Sequence, residues 1–313
     1  MKRANEVKGI PYWGISSIRA RTHGIYTHTL KNQTERDNEK KRIKMSRVLV
    51  EHKTLFATND VCVITISDVQ SRNSLTELSL KALAKAIGKA SSSSSSTRCV
   101  ILTGDGEEAF SSGINLSAAK RVFRMSEEDY ESDPVHAMET SRVPILCVVN
   151  GAAINAGFEI ALAADVILVT KNARFIDVHM ELGLMPSWGL SSKLSRAIGI
   201  NNAKLFSAFG DTLTGEEAVR LGLAQKKVFD SKNDAMEEAI RLARKMIEKS
   251  RSKERARVAL EIIDEGWKKA YGEARRIERE KAFAQYRSLP LEDMFKSRRR
   301  DKSGGGGELR SKL

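Results

Sequence analysis

Four short runs constrain this chain more than anything else in it: VCVITIS at 61–67, RCVILTG at 98–104, PILCVVNG at 144–151 and DVILVT at 165–170. Each is apolar almost throughout and rich in β-branched residues, the pattern of a buried strand, and each is followed by a loop and then a helical stretch. SLTELSLKALAKAIGKA, 74–90, repeats its apolar residues at helical spacing behind Ser74, which reads as its cap. The expectation is an α/β fold beginning near Arg47. The tract SSSSSS at 91–96 reads as a solvated surface loop. After about Glu216 the pattern is helical almost to Arg287, through GEEAVRLGLAQ, AMEEAIRLARKMIEK and a charged amphipathic stretch ending EREKAFAQY.

Composition excludes several classes. With 313 residues and 41% hydrophobic content there is material for a large core, and no run approaches the roughly 18 uncharged apolar residues of a membrane helix. The three cysteines, Cys62, Cys99 and Cys147, each fall inside a β-type run without metal-ligand spacing, so they read as reduced core residues. The net charge of +13 is concentrated at the ends: residues 1–44 hold 11 Lys/Arg against 4 Asp/Glu, and 297–313 hold 6 against 2. That leaves +2 for the body, so the charge argues for no nucleic-acid partner of the folded part. Four parts are expected: a basic extension 1–44 (a disordered tail, an upstream extension ahead of Met45, or a transit peptide), a core 45–245, a helical region 246–297 and a flexible tail 298–313.

Two turns carry unusual chemistry. AFSSGINLSAA at 109–119 and NGAAINAGFEIALAADV at 150–166 both pass through small residues into a helix, whose first N–H groups have no partner within it. Facing each other, two such turns would hold one oxygen between two backbone donors, an oxyanion hole. A helix starting near Ala156 puts Glu159 three residues on, on the same face as the Ala156 amide, among Phe158, Ile160 and Leu162. A carboxylate so placed handles protons beside the held oxygen; the alternative is an ordinary glutamate favoured by the helix N-terminus.

In this order and spacing, AFSSGINL, PILCVVNGAAINAGFEIALAADV, RFIDVHMELGLMPSWGLSSKL and TGEEAVRLGLAQ resemble the enoyl-CoA hydratase/isomerase (crotonase) superfamily, over roughly Val48 to Arg287. PSWGLS, 186–191, is similar to plant peroxisomal monofunctional hydratases. The resemblance implies a crotonase (ClpP-like) spiral of repeated β-β-α units with C-terminal helices that build homotrimers or hexamers. It implies an acyl-CoA thioester substrate held by the Ile114 and Ala156 amides, with Gly113, Ile114, Asn115, Leu116, Ser117, Ala156 and Gly157 lining its path. Of the two glutamates that the hydratases use, the first maps onto Glu159. The second maps onto His179, where this sequence departs from the pattern, and Asp177 and Glu181 would share its side if the segment were extended.

Hydration of trans-2-enoyl-CoA is the reaction that this likeness favours. A single-carboxylate double-bond isomerase, a thioesterase and a noncatalytic acyl-CoA binder are the alternatives, and from a different class a nucleic-acid binder acting through the basic ends. No metal and no cofactor are expected. Arg72, Lys120 and Arg121 are candidates for the CoA phosphates, and Trp188 and Phe158 for the acyl pocket. The last residues, Ser311-Lys312-Leu313, form a peroxisomal address read by an import receptor, with β-oxidation as the matching pathway.

Overall fold

A computed structural model describes residues 48–53, 60–124, 126, 129–250 and parts of 252–287. In chain order the elements are β1 (Val48–Lys53), β2 (Val61–Ile66), α1 (Glu77–Ser91), β3 (Cys99–Gly104), β4 (Ala109–Ser111), α2 (Leu116–Val122) and α3 (Pro134–Glu139). They continue with β5 (Ile145–Val149), β6 (Ala152–Ile154), α4 (Ala156–Leu162), β7 (Val166–Thr170), β8 (Arg174–Ile176), a 3-10 turn (Met180–Leu182), α5 (Leu190–Ile198) and α6 (Ile200–Ser207). Last come β9 (Leu213–Thr214), α7 (Gly215–Arg220), β10 (Val228–Phe229) and α8 (Lys232–Ser250).

The strands divide between two sheets. One runs β1-β2-β3-β5-β7-β10, parallel except for the β1–β2 pair, and the other β4-β6-β8-β9. The unit that repeats is a long strand in the first sheet, a short one in the second, then a helix: β3-β4-α2, β5-β6-α4, and β7-β8 leading to α5. This is the expected β-β-α spiral, and it stacks the ends of β4, β6 and β8 side by side.

The apolar runs lack alternation because both faces of the first sheet are covered. Ile64, Val100, Leu102, Cys147 and Val149 face the main core with α1, α4 and α5. Their chain neighbours Val63, Cys99, Ile101, Leu146 and Val148 face Ala235, Ala239, Ala243 and Ile247 of α8. Alanine at every fourth position lets that helix lie close to the strands. All three cysteines are free and buried.

Several expectations change in detail. The cap of α1 is Thr76, not Ser74: Thr76 and Ser79 form a reciprocal capping box, while the Ser74 hydroxyl accepts from Asn115 Nδ2 at 3.0 Å. Ser91 closes α1 and is buried, so the serine tract is only in part a surface loop. The helical end is interrupted between α7 and α8, where Gly222 turns the chain and β10 adds an edge strand to the sheet. The join placed at 245–246 falls inside α8. Residues 1–44 and 298–313 lie outside the described residues.

Beyond α8 the described residues return to α3. Arg279 Nη1 bonds Asp133 Oδ2 at 2.9 Å, Arg275 Nη1 bonds Glu139 Oε2 at 2.8 Å, and Lys193 Nζ of α5 meets Glu139 Oε1 at 3.1 Å. All five side chains are largely shielded from water, so each charge depends on its partner.

Candidate active site

The first half of the site is the turn after β4. Asn73, buried with φ of +57°, donates to Asp105 O and Ala109 O, and its own carbonyl accepts from Ser111 Oγ at 2.8 Å. That pins the strand end. Beyond it Leu75 N–H donates to Gly113 O and Asn115 N–H to Leu75 O, both at 2.8 Å. The Ile114 N–H between them points away from Leu75 and takes no partner among the described residues.

The second half is the start of α4. Asn155 is its N-cap with φ 48° and ψ −110°, a conformation that costs a non-glycine residue about 1–3 kcal/mol. The strain is held by three bonds: Asn155 N–H to Ile176 O, its carbonyl to the Glu159 N–H, and its Oδ1 to the Val178 N–H at 2.8 Å. The Ala156 N–H opens the helix and, like every amide in a first turn, has no acceptor within it.

Two glycines bring these halves together. Gly113 has φ of +83°, and a Cβ there would sit 2.8 Å from Ile154 O and 3.7 Å from the Ala156 nitrogen. A Cβ on Gly157 would lie 2.5 Å from Ser111 O. Neither position has room for a side chain, so the Ile114 turn and the start of α4 are in direct backbone contact.

Glu159 is 2% exposed, and its Oε1 accepts from the amides of Ser187 at 3.1 Å and Trp188 at 2.7 Å. Those amides come from the turn ahead of α5, where Gly189 takes φ of +97°. The carboxylate is therefore held by the PSWG turn. Trp188 enters the site through its backbone. Phe158 is wholly buried against Phe175, ring centroids 4.9 Å apart, so it packs in the core.

The segment after β8 is not extended. His179 has helical φ and ψ and opens the 3-10 turn, so the shared-side expectation for Asp177, His179 and Glu181 fails. Asp177 and His179 are buried together, with His179 Nδ1 2.7 Å from Asp177 Oδ1 and the His179 N–H on the same oxygen at 3.0 Å; Glu181 is exposed. Burial pushes the Asp177 carboxyl up, but the bond and charge of His179 outweigh it and hold the group below the usual carboxylate range.

Of the residues expected to line the substrate path, Gly113, Ile114, Asn115, Ala156 and Gly157 are thus brought together, and Leu116 and Ser117 open α2 directly beyond them. Arg72 sits beside the turn, its carbonyl accepting from the Ser112 N–H, with Nε 3.2 Å from Glu108 Oε2. Arg121 is paired with Glu77 at 2.9 Å, and Lys120 is exposed on α2. Sequence reasoning missed the Ser187 and Trp188 amides, Asn73 and Asn155, and took Asp177 for a rival of His179. An asparagine directly before a helix, a residue type that tolerates left-handed backbone, was the available signal for Asn155. No group of three or more His, Cys, Asp or Glu able to hold a metal occurs among the described residues.

The fold and the paired turns define a crotonase-type α/β spiral. The comparisons agree. The family described as Enoyl-CoA hydratase/isomerase matches residues 57–289, and the chain belongs to that family. It is 39% identical over 255 residues to the Arabidopsis thaliana protein named "Probable enoyl-CoA hydratase 1, peroxisomal", covering 81% of this chain and 93% of that one. It is 31% identical to a short-chain-enoyl-CoA hydratase of Clostridium acetobutylicum, over 60% of this chain and 72% of that one. The crystal structure of an enoyl-CoA hydratase from Mycobacterium smegmatis superposes with a TM-score of 0.65 at 28% identity, over 77% of this chain and 99% of that one.

Proposed function

We propose that the chain hydrates trans-2-enoyl-CoA thioesters to 3-hydroxyacyl-CoA. The observation that carries this reading is the backbone contact between the Gly113–Ile114 turn and the start of α4, with Glu159 in the first turn of the same helix. The thioester oxygen sits between the Ile114 and Ala156 N–H groups, each contributing about 3 kcal/mol as negative charge develops on that oxygen. Glu159 takes a proton from water as the hydroxyl bonds to C3, and His179 gives a proton to C2. One proton gained by Glu159 and one lost by His179 leave the pair to reset by a single transfer between them. The chemistry requires no metal or redox cofactor.

Replacing Glu159 with glutamine removes the base and keeps the shape. Glu159→Gln should abolish hydration of crotonyl-CoA and still bind the thioester. Binding with no turnover in either protein would instead support a noncatalytic acyl-CoA binder.

The substitution of histidine for the second glutamate leaves one carboxylate for this chemistry, and that favours a second reading, a double-bond isomerase moving one proton between C2 and C4. Operation in peroxisomal β-oxidation is supported by the Ser311-Lys312-Leu313 ending and by the name of the Arabidopsis relative. Self-association as a trimer or hexamer is supported by exposed Met180 and Met185, in and after the 3-10 turn, and Ile200, Leu205 and Phe209, in and after α6, two segments that come together where Gly210 lies beside Glu181.

A further inference from the structure

Where the hydratase pattern supplies a carboxylate, this chain supplies an imidazole, and an imidazole has a problem that a carboxylate lacks. Its two nitrogens differ, and only one can face the reacting carbon with its proton. A ring free to rotate or to change tautomer would present the wrong nitrogen part of the time. The chain must therefore fix which nitrogen carries the resident hydrogen.

Asp177 meets that requirement. Its Oδ1 accepts from the His179 backbone N–H at 3.0 Å and lies 2.7 Å from His179 Nδ1, so one oxygen holds both the main chain and the ring. Both residues are nearly out of water, at 6% and 7% exposure, so no solvent molecule competes easily for the bond. An ionised carboxylate only accepts, and Asp177 is held on the ionised side of its range. The hydrogen between them therefore belongs to Nδ1. The segment that carries the pair is fixed in turn by the bond from the Val178 N–H to Asn155 Oδ1, which ties it to the cap of the helix that bears Ala156 and Glu159.

We propose that Asp177 is a positioning residue that locks His179 with its hydrogen on Nδ1, making Nε2 the nitrogen that gives and regains the catalytic proton. The inference rests on the reading of His179 as the second acid–base group. It turns the departure from two glutamates into a working substitution: an aspartate and a histidine together do what a single carboxyl group does elsewhere.

The test uses the full chain, with crotonyl-CoA hydration and 15N-histidine NMR, the His179 signal being assigned from its loss in His179→Ala. Asp177→Asn and Asp177→Ala should lower kcat about 10–100-fold with KM changed little, since the residue orients the acid without touching substrate. As pH rises, the wild-type His179 imidazolium should lose its Nε2 proton and keep the hydrogen on Nδ1 in the neutral ring. A neutral ring protonated at Nε2, or folded Asp177 variants with wild-type kcat beside an inactive His179→Ala, overturns the inference alone. Full activity in His179→Ala overturns the reading beneath it as well. If neither Asp177 variant folds, the wild-type tautomer decides.

Discussion

Gly113 shows how one missing side chain builds the site. Its φ of +83° and the 2.8 Å from a notional Cβ to Ile154 O mean that alanine there must push the turn off α4. Gly113→Ala should then move the Ile114 amide away from the held oxygen and lower kcat/KM for crotonyl-CoA by about 10²–10³-fold, as loss of one such donor does. Steady-state kinetics beside a folding check by circular dichroism read the effect. The cysteines make a contrasting prediction. Burial pushes the Cys62 thiol up to about 11, and burial raises Cys99 and Cys147 further. None is a thiolate near neutral pH, so a chromogenic disulfide should titrate the three slowly in native protein and fast in urea. Single residues were legible where the backbone itself is the functional group. The resemblance assigned the donor amides to Ile114 and Ala156, in turns where small residues ahead of a helix expose N–H groups, and Glu159 stood out because a charge in an apolar helix needs a reason. The Asp177–His179 pair was not legible, since it depends on the chain leaving β8 and curling into a 3-10 turn, and a strand-like pattern hides that change.

Among the elements, α4 and α3 set the geometry in different ways. Helix α4 has only seven residues and is held by tertiary contacts, as a helix of that length must be. Helix α3 is capped by Asp133, whose carboxylate accepts from the His136 N–H at 2.8 Å and also meets Arg279. Asp133→Ala removes the carboxylate that Arg279 bonds and uncaps the helix together, so it should cost about 2–4 kcal/mol, measured as a fall in the urea midpoint. A loss within a few tenths of a kcal/mol would show that the C-terminal residues do not anchor there. The strands β2, β3, β5 and β7 were readable to within a residue or two because continuous apolar runs suit a sheet covered on both faces, whereas the two- and three-residue strands are too short to show a pattern. The cap of α1 was misread by two positions: Ser74 and Thr76 are both competent caps, and the reciprocal partner Ser79 decides between them.

At the scale of the molecule, charge and chemistry separate. The basic ends hold most of the +13, while the family match spans 57–289 and the paired turns lie well inside it. Removing residues 1–44 and 298–313 should leave the rate of crotonyl-CoA hydration unchanged in a steady-state assay, whereas a nucleic-acid binder acting through the basic ends would lose its salt-sensitive binding. Exposed Phe209, at 83%, belongs to the proposed association surface, so Phe209→Lys should shift the chain toward smaller species in light scattering after gel filtration. Assembly was an expectation of the resemblance, and the exposed apolar face that supports the proposal is not visible until the segments around α6 and the 3-10 turn are placed. In the proposed reaction Glu159 and His179 act on one thioester held by two amides. The most direct measurement is the rate on crotonyl-CoA and on a 3-enoyl-CoA for the wild type, Glu159→Gln and His179→Ala. Hydration of crotonyl-CoA that collapses in both variants is the predicted result. Conversion of the 3-enoyl-CoA alone, lost in Glu159→Gln and kept in His179→Ala, would contradict it and leave a one-carboxylate isomerase.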